Sequence, residues 1–403
     1  MITSHGDLMV RKRLSVLLLL AFFWFSNCPG WAADASASPN STAFALKFGK
    51  ECAGSSTGNT VISPYGAYSL LSLLVNGAVG STQAEMFKML GTDAARLGEL
   101  NAANKAACKS LSANDKDLKL SVANAIFVDK GFSLLPEFTK VATDTYFAST
   151  ELVDFDSPET LTAINAWVKD KTHGCIPQIL DKLMKGDSVV LLNAVYFKGR
   201  WLTTFSKEST ESEPFHLAGG TDKKVSMMHR TGQISYWSGP DLSAVELPYF
   251  ANKQSLFVVL PGKNKSATDL LQTLDEKTWR QMSSQMKSVR VDLSLPKFHV
   301  EFKKELNPVL KKMGMTMAFN PRLADFGALS HERVFVSRAV QKTFMDVDEL
   351  GTEAAAATAI TMMTMAMPVQ SKSIEFRVDR PFLVGLQDQQ TGQLLFLGAI
   401  NEP

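Results

Sequence analysis

The sequence is short of charge asymmetry. Its 403 residues carry 42 Lys and Arg against 40 Asp and Glu, a formal net charge of +2. No basic block is long enough to grip a phosphate backbone, so nucleic acid is not an expected partner. Cysteine is scarce, with four in the chain and no C-x-x-C pair to suggest a metal site. The six histidines form no H-E-x-x-H pattern, and G-x-S-x-G elbow, P-loop and dinucleotide G-x-G-x-x-G are all missing. His173 and Cys175 are close in sequence, but a metal needs more ligands than these. They read as a loop histidine beside a buried cysteine. Neither catalytic residues nor a metal or cofactor is expected, although a Ser-His-Asp site built from distant residues would leave no local pattern. Repeats and interior linkers are lacking too, which argues against several domains.

The first region with a clear character is the N-terminus. Arg11, Lys12 and Arg13 precede an apolar run from Leu14 to Phe25, too short to span a bilayer. Small residues follow, and "ADA" at Ala33–Ala35 fits an A-x-A cleavage site, with "GWA" ending at Ala32 as the alternative. Residues 1–35 therefore read as a signal peptide. The mature protein is expected to be secreted or periplasmic and free of the membrane after cleavage. Cys28 would suggest a lipid anchor, but the preceding "FSN" matches that motif poorly. Removing the signal leaves Cys52, Cys108 and Cys175, an odd number that favours free thiols in a chain long enough to fold without staples. Residues 36–42 read as a flexible leader.

Helical periodicity dominates the first half. "SPYGAYSLLSLLVNGA" opens with Ser63 as a cap and Pro64 at the first helical position. "GSTQAEMFKML" has Thr82 and Glu85 at capping-box spacing. "LLPEFTKVATDTYF" and "SPETLTAINAWVKDKT" are also helical in pattern. From Ser188 the character changes. "SVVLLNAVYF" is a nearly continuous apolar run, as expected of a strand buried on both faces. Further strands are expected in "VSMMHRTGQISYW", "SAVELPYF", "SLFVVLP", "VRVDLSLPKFHVEF" and "GQLLFLGAIN", with one helix in "KKELNPVLKKMG" ended by Gly314. The pattern is α+β with mostly antiparallel sheets. Met227 and Met228 read as packing residues.

One stretch fits none of these classes. "DELGTEAAAATAITMMTMAMPVQ", Asp348–Gln370, is too small-sided for a core helix, too apolar for a comfortable loop and too long for a turn. Together with "NTVISPYGAYSLLSLLVNGAVGSTQAEM", "VANAIFVDKGFSLLPEF", "INAWVKDKTHGCIPQIL", "LLNAVYFKGRW", "LPKFHVEF" and the closing "DRPFLVGLQDQQTGQLLFLGAINEP", it resembles the serpin family across the whole mature chain. The resemblance implies a single domain over residues 43–403. It implies three β-sheets, eight or nine α-helices and an exposed reactive-centre loop, about residues 349–372. It also implies a monomer whose partner is a target serine protease. That protease forms an acyl-enzyme on the loop, and the cut loop then inserts as a new strand and traps it.

The hinge would be Glu349, Gly351, Thr352, Glu353, Ala354, Ala355, Ala356, Ala357 and Thr358. A strand sends alternate side chains to opposite faces. One face then receives Thr352, Ala354, Ala356, Thr358, Ile360 and Met362, none of them charged. The other receives Glu353, Ala355, Ala357, Ala359 and Thr361, so the single charge stays where water can reach it. Carried onto Glu349, the family's spacing ends at Met365, which makes Met365–Ala366 the expected reactive bond, with Met363 or Thr364 in its place if the register shifts. A methionine there suits elastase-, chymotrypsin- or subtilisin-like pockets and not trypsin-like ones. It is also open to oxidation. By the same resemblance Trp201, Lys297 and Glu349 form the breach at the top of the sheet, where Lys297 and Glu349 would pair. Asn165 and Asn193 match positions near the opening region, and Ser63 belongs to the shutter with Asn193 and Gln341.

Four positions depart from the family pattern. Gly66 stands where serine is usual and Gln341 where histidine is usual, changes expected to remove hydrogen-bonding groups from the shutter, although Gln341 can still donate and accept and inhibition is expected to survive. Cys175 replaces a common lysine and Leu350 a common glutamate. The scattered lysines of "NAANKAACKSLSANDKDLK" do not make the dense basic face that heparin-type activators need, so no cofactor is expected.

Overall fold

The computed structural model describes residues 41–54, 56–111, 117–263, 265–352 and 372–403. The signal peptide and the loop residues Glu353, Ala354, Ala355, Ala356, Ala357, Thr358, Met365 and Ala366 lie outside the described residues. Among the described residues there are nine α-helices: α1 (Ser41–Ala53), α2 (Pro64–Leu74), α3 (Gly80–Leu90), α4 (Leu97–Leu111), α5 (Pro136–Tyr146), α6 (Pro158–Lys171), α7 (Ala267–Thr273), α8 (Glu276–Ser284) and α9 (Asn307–Met313). The strands are β1 (Thr60–Ile62), β2 (Leu118–Asp129), β3 (Ser149–Val153), β4 (Val189–Arg200), β5 (Glu211–His216), β6 (Asp222–Ser238), β7 (Leu242–Pro248), β8 (Gln254–Pro261), β9 (Lys287–Pro296), β10 (Phe298–Glu305), β11 (Val336–Val347), β12 (Gly351–Thr352), β13 (Ile374–Arg377), β14 (Phe382–Asp388) and β15 (Leu394–Ile400).

A six-stranded sheet runs β10-β11-β12-β4-β2-β3, and below β12 the strands β11 and β4 pair directly and in parallel. The other strands form the path β1-β15-β14-β8-β7-β6-β9-β13, with β5 also on β6. The long strand β6 is shared: it pairs β5 and β9 along most of its length and β7 at its end. These nine strands are therefore one continuous hydrogen-bonded sheet through β6.

The apolar run of β4 has a simple cause. Val190, Leu192 and Ala194 pack on one face with Ile164 and Val168 of α6, while Val195 and Phe197 enter a separate cluster with Val258 and Leu293. Each such side chain contributes roughly 1.5–3 kcal/mol on burial, and the one buried polar side chain of the strand, Asn193, is hydrogen-bonded to Asn124 and Gln341. Ser63 caps α2, its hydroxyl accepting from the Gly66 N–H, with Pro64 at the first helical position. Gly314 ends α9 at φ 108, in the left-handed region that glycine adopts without strain.

Local patterns misled at four places. Thr82 and Glu85 do not cap α3: the N-cap is Val79, the Thr82 hydroxyl accepts from Asp325 N–H, and Glu85 accepts from Thr316 and Met317. Tertiary partners claimed both side chains. Ser41 and Thr42 belong to α1 rather than to a leader. "VRVDLSLPKFHVEF" is two strands in different sheets, separated at Lys297. "KKE" at Lys303–Glu305 ends β10 instead of opening α9.

Candidate functional site: the top and middle of the six-stranded sheet

At the top of the sheet the chain leaves β11, turns and re-enters it. Asp348 makes the turn, its Oδ1 accepting from Leu350 N–H at 2.8 Å and from Gly351 N–H at 3.1 Å. Gly351 and Thr352 then pair with Arg200 and Gly199 of β4, and Thr352 with Val347 of β11, antiparallel to both neighbours. Only glycine fits at 351: a Cβ would lie 2.0 Å from the Gly199 carbonyl oxygen, and φ is +154. Thr352 is fully buried, and its hydroxyl is 2.7 Å from that of Tyr249.

The re-entry point is held by rings and one ion pair. Trp201, buried at the end of β4, stacks on Tyr249 with centroids 4.3 Å apart. Its Nε1–H donates to the Asp348 carbonyl at 2.9 Å, and its backbone N–H donates to the Leu350 carbonyl at 2.9 Å. Glu349 is buried, whereas Lys297 is partly exposed at the crossing between β9 and β10. Lys297 Nζ is 2.9 Å from Glu349 Oε2, and Thr210 donates to Oε1 at 2.8 Å. Burial alone would raise the Glu349 pKa, but the hydrogen bonds from Lys297, its own backbone and Thr210 outweigh it and hold the carboxyl below its ordinary value.

The middle of the sheet is held by neutral groups. Gln341 on β11 accepts from Ser63 N–H at 2.9 Å, and its Nε2 donates to the Ser63 carbonyl at 2.8 Å and to Asn193 Oδ1 at 2.7 Å. Asn193 on β4 donates to Asn124 Oδ1 on β2 at 2.7 Å. The Ser63 hydroxyl donates to the Leu395 carbonyl at 2.6 Å. Gln341 thus does donate and accept here, while Gly66 contributes no hydroxyl. The glutamine spans Ser63 and Asn193 with both ends of its amide. At Gly66 an added Cβ would meet Asn193 Oδ1 at 2.5 Å, so the glycine makes room for the asparagine.

Asn165 lies away from this row. It holds the segment after α6, accepting from Ile179 and Leu180 N–H and donating to the Leu180 carbonyl. Cys52, Cys108 and Cys175 form no disulfide among the described residues, and burial pushes the Cys52 thiol up to about 12. Among the described residues no cluster of three or more His, Cys, Asp or Glu is arranged to hold a metal, and no helix is long and apolar enough to cross a membrane.

Sequence reasoning missed Tyr249, Thr210 and Asn124. Only Asn124, a lone amide inside the apolar "VANAIFV", carried a local signal. The others gain their roles from strands that are distant in the chain.

A chain that returns into its own sheet as a central strand, beneath an ion pair and above a polar row, defines the class. The family model described as "Serpin (serine protease inhibitor)" matches residues 39–403, and the chain belongs to the serpin family. It is 33% identical to Serpin B11 of Mus musculus, over 90% of this chain and 98% of that protein. Leukocyte elastase inhibitor of Homo sapiens is also 33% identical, over 86% of this chain and 93% of the relative. Among solved structures, the thermophilic serpin tengpin in its native state matches with a TM-score of 0.83 and 31% identity, covering 90% and 93% of the two chains. A thyroxine-binding globulin complex with thyroxine matches at 0.81 and 25%, covering 90% and 98%. The fold is the serpin fold, and members of this family are protease inhibitors rather than catalysts.

Proposed function

We propose that this chain is an exported, monomeric suicide inhibitor of serine proteases, cut at Met365–Ala366 and trapping the acyl-enzyme by inserting the cut loop between β11 and β4. The observation that carries the proposal is the placement of Gly351 and Thr352, which already pair with β4, Thr352 also with β11, in the sense that a longer inserted strand would continue. Thr352, the first member of the uncharged face, is buried. Resemblance to an elastase inhibitor supports an apolar-pocket protease as target. The N-terminal signal pattern supports a secreted or periplasmic site of action.

The test is incubation with elastase, chymotrypsin and subtilisin, followed by a search for a complex that survives boiling in SDS. Cleavage without such a complex, and with no rise in the melting temperature of the cut chain, would sink the proposal. Met365→Arg moves the preference toward trypsin-like enzymes, whose pocket carboxylate then gains a cation. An unchanged preference would put the cut elsewhere.

A second reading is a carrier that binds a small ligand and is only a substrate for proteases. The likeness to a thyroxine-binding globulin favours it. The same incubation separates the two, since a carrier gives cut chain and free protease.

A further inference from the structure

The seam between β11 and β4 is closed differently on its two faces. Toward Ser63, Gln341 and Asn193 bond across it. Toward α6, Val340, Lys342 and Phe344 of β11 stand opposite Leu192, Ala194 and Tyr196 of β4. Phe344 opposite Tyr196 is the last directly paired step of this parallel ladder. Above it Thr352 already lies between the strands, opposite Gly199 and Val347. The two residues therefore stand at the fork. A strand extending from Thr352 parts them before any other directly paired step.

Both residues at the fork are aromatic. Their rings meet across the seam with centroids 5.9 Å apart and planes tilted by 56°. Tyr196 is buried, and Phe344 is partly buried against the cluster under α6. Each ring is backed by another. His173, in the segment after α6, meets Tyr196 edge-on at 6.3 Å, and His299 of β10 meets Phe344 edge-on at 4.9 Å. Within this row of four rings, the Tyr196–Phe344 contact is the one that crosses the seam. Such ring pairs attract beyond their buried area, and the attraction acts only at touching distance.

We propose that the Tyr196–Phe344 ring pair is a latch that holds the fork between β11 and β4 shut, and that it sets how fast the loop strand enters. This second clause rests on the insertion reading above. Backbone bonds lost as β11 and β4 part are remade to the entering strand. The ring contact is not. Three steps on from Thr352 the same register brings residue 355 opposite Tyr196 and Phe344, and that residue is alanine. The latch is therefore released at the start of entry with no ring to replace it. Slower entry gives the acyl-enzyme longer to hydrolyse, so the ring pair also sets how much of the inhibitor is consumed as plain substrate.

Opening of the seam is read by amide hydrogen exchange on the intact chain, with neither protease nor peptide present. In Phe344→Leu the β11 amides from Ala339 to Phe344 exchange about threefold faster or more, relative to those of β2 against β3. Tyr196→Leu does the same, and circular dichroism selects whichever variant is folded. Phe344→Tyr, which keeps the ring, matches the parent. Phe257→Leu, which loses a ring contact with Trp279 in the other sheet, leaves the seam unchanged relative to β2 and β3. Unchanged exchange in the folded leucine variants, or equal acceleration in Phe257→Leu, overturns the latch. The double variant opens no faster than the quicker single one, and strict additivity would show that the two rings do not act as a pair. For entry, a peptide with the sequence Thr352–Thr361 is annealed into the intact chain and the rise in melting temperature is timed. Phe344→Leu anneals about threefold faster or more, and an unchanged rate with exchange accelerated overturns the second clause. A peptide that anneals to neither chain counts against the insertion reading and removes that clause with it, while exchange still decides the latch.

Discussion

The top of the six-stranded sheet and its middle are closed by different forces. At the top, Glu349 is buried against Lys297 and Thr210, and Trp201 stacks on Tyr249. In the middle, Ser63, Asn124, Asn193 and Gln341 form a neutral row in which no group titrates near physiological pH. The difference shows in what each region tolerates. Charge pairing and glycine sterics at the top leave little freedom at Lys297, Glu349 and Gly351. The middle requires only that buried amides and hydroxyls be satisfied, so Gln341 with Gly66 is as complete a solution as another pair of residues would be.

Breaking the top where the strand begins has the largest expected effect. Thr352→Arg buries a cation beside the neutral Tyr249 hydroxyl. Within the proposed mechanism it abolishes the SDS-stable complex and leaves a plain substrate. Unchanged inhibition in this variant would refute the assignment of the inward face.

The middle comes next. Gly66→Ser forces a Cβ against the Asn193 amide and destabilises the fold by about 2–3 kcal/mol, read as a lowered denaturation midpoint. Adding Gln341→His releases Asn193 from one partner, so the double variant loses less than the sum of the single ones. Strict additivity would show that the two departures from the family pattern are independent.

Smallest is the acid dependence of the top. Folding depresses the Glu349 pKa below its ordinary value of 4.5, so Glu349 binds its proton less readily folded than unfolded. Its contribution is present above that value and is lost as pH falls through the depressed one. Glu349→Gln costs about 1 kcal/mol at neutral pH and removes this part of the acid sensitivity. Melting curves between about pH 5 and pH 3 then converge for variant and parent. Gln341→Ala lowers stability at every pH without changing the slope, because a neutral amide carries no proton to exchange. A pH-dependent loss there would erase the contrast between the regions.

Much of the fold was legible locally. The caps of α2 and α9, the two-faced burial of β4 and the change from helices to strands follow from nearest-neighbour chemistry. Helices α1, α4, α7 and α8 were not read from the sequence, and α7 and α8 are only seven and nine residues long. The split at Lys297 was hidden because "VRVDLSLPKFHVEF" alternates acceptably straight through it, and only pairing with different sheets divides it. The capping-box spacing in α3 failed for a related reason: Asp325 and Thr316 lie far along the chain and compete for Thr82 and Glu85.

For the candidate site, the sequence by itself determined the uncharged alternation from Thr352, the helix-capping serine at 63 and the identity of the Lys297–Glu349 charges, since side-chain chemistry and strand period are local properties. The tertiary structure decided the rest. It set Tyr249 under Trp201 and over Thr352, joined Gln341 to Ser63 and Asn193, and turned Gly66 from a missing hydroxyl into the space an asparagine fills. Hydrogen bonds and steric exclusion act only at contact distance, and these contacts exist only once distant strands share a sheet.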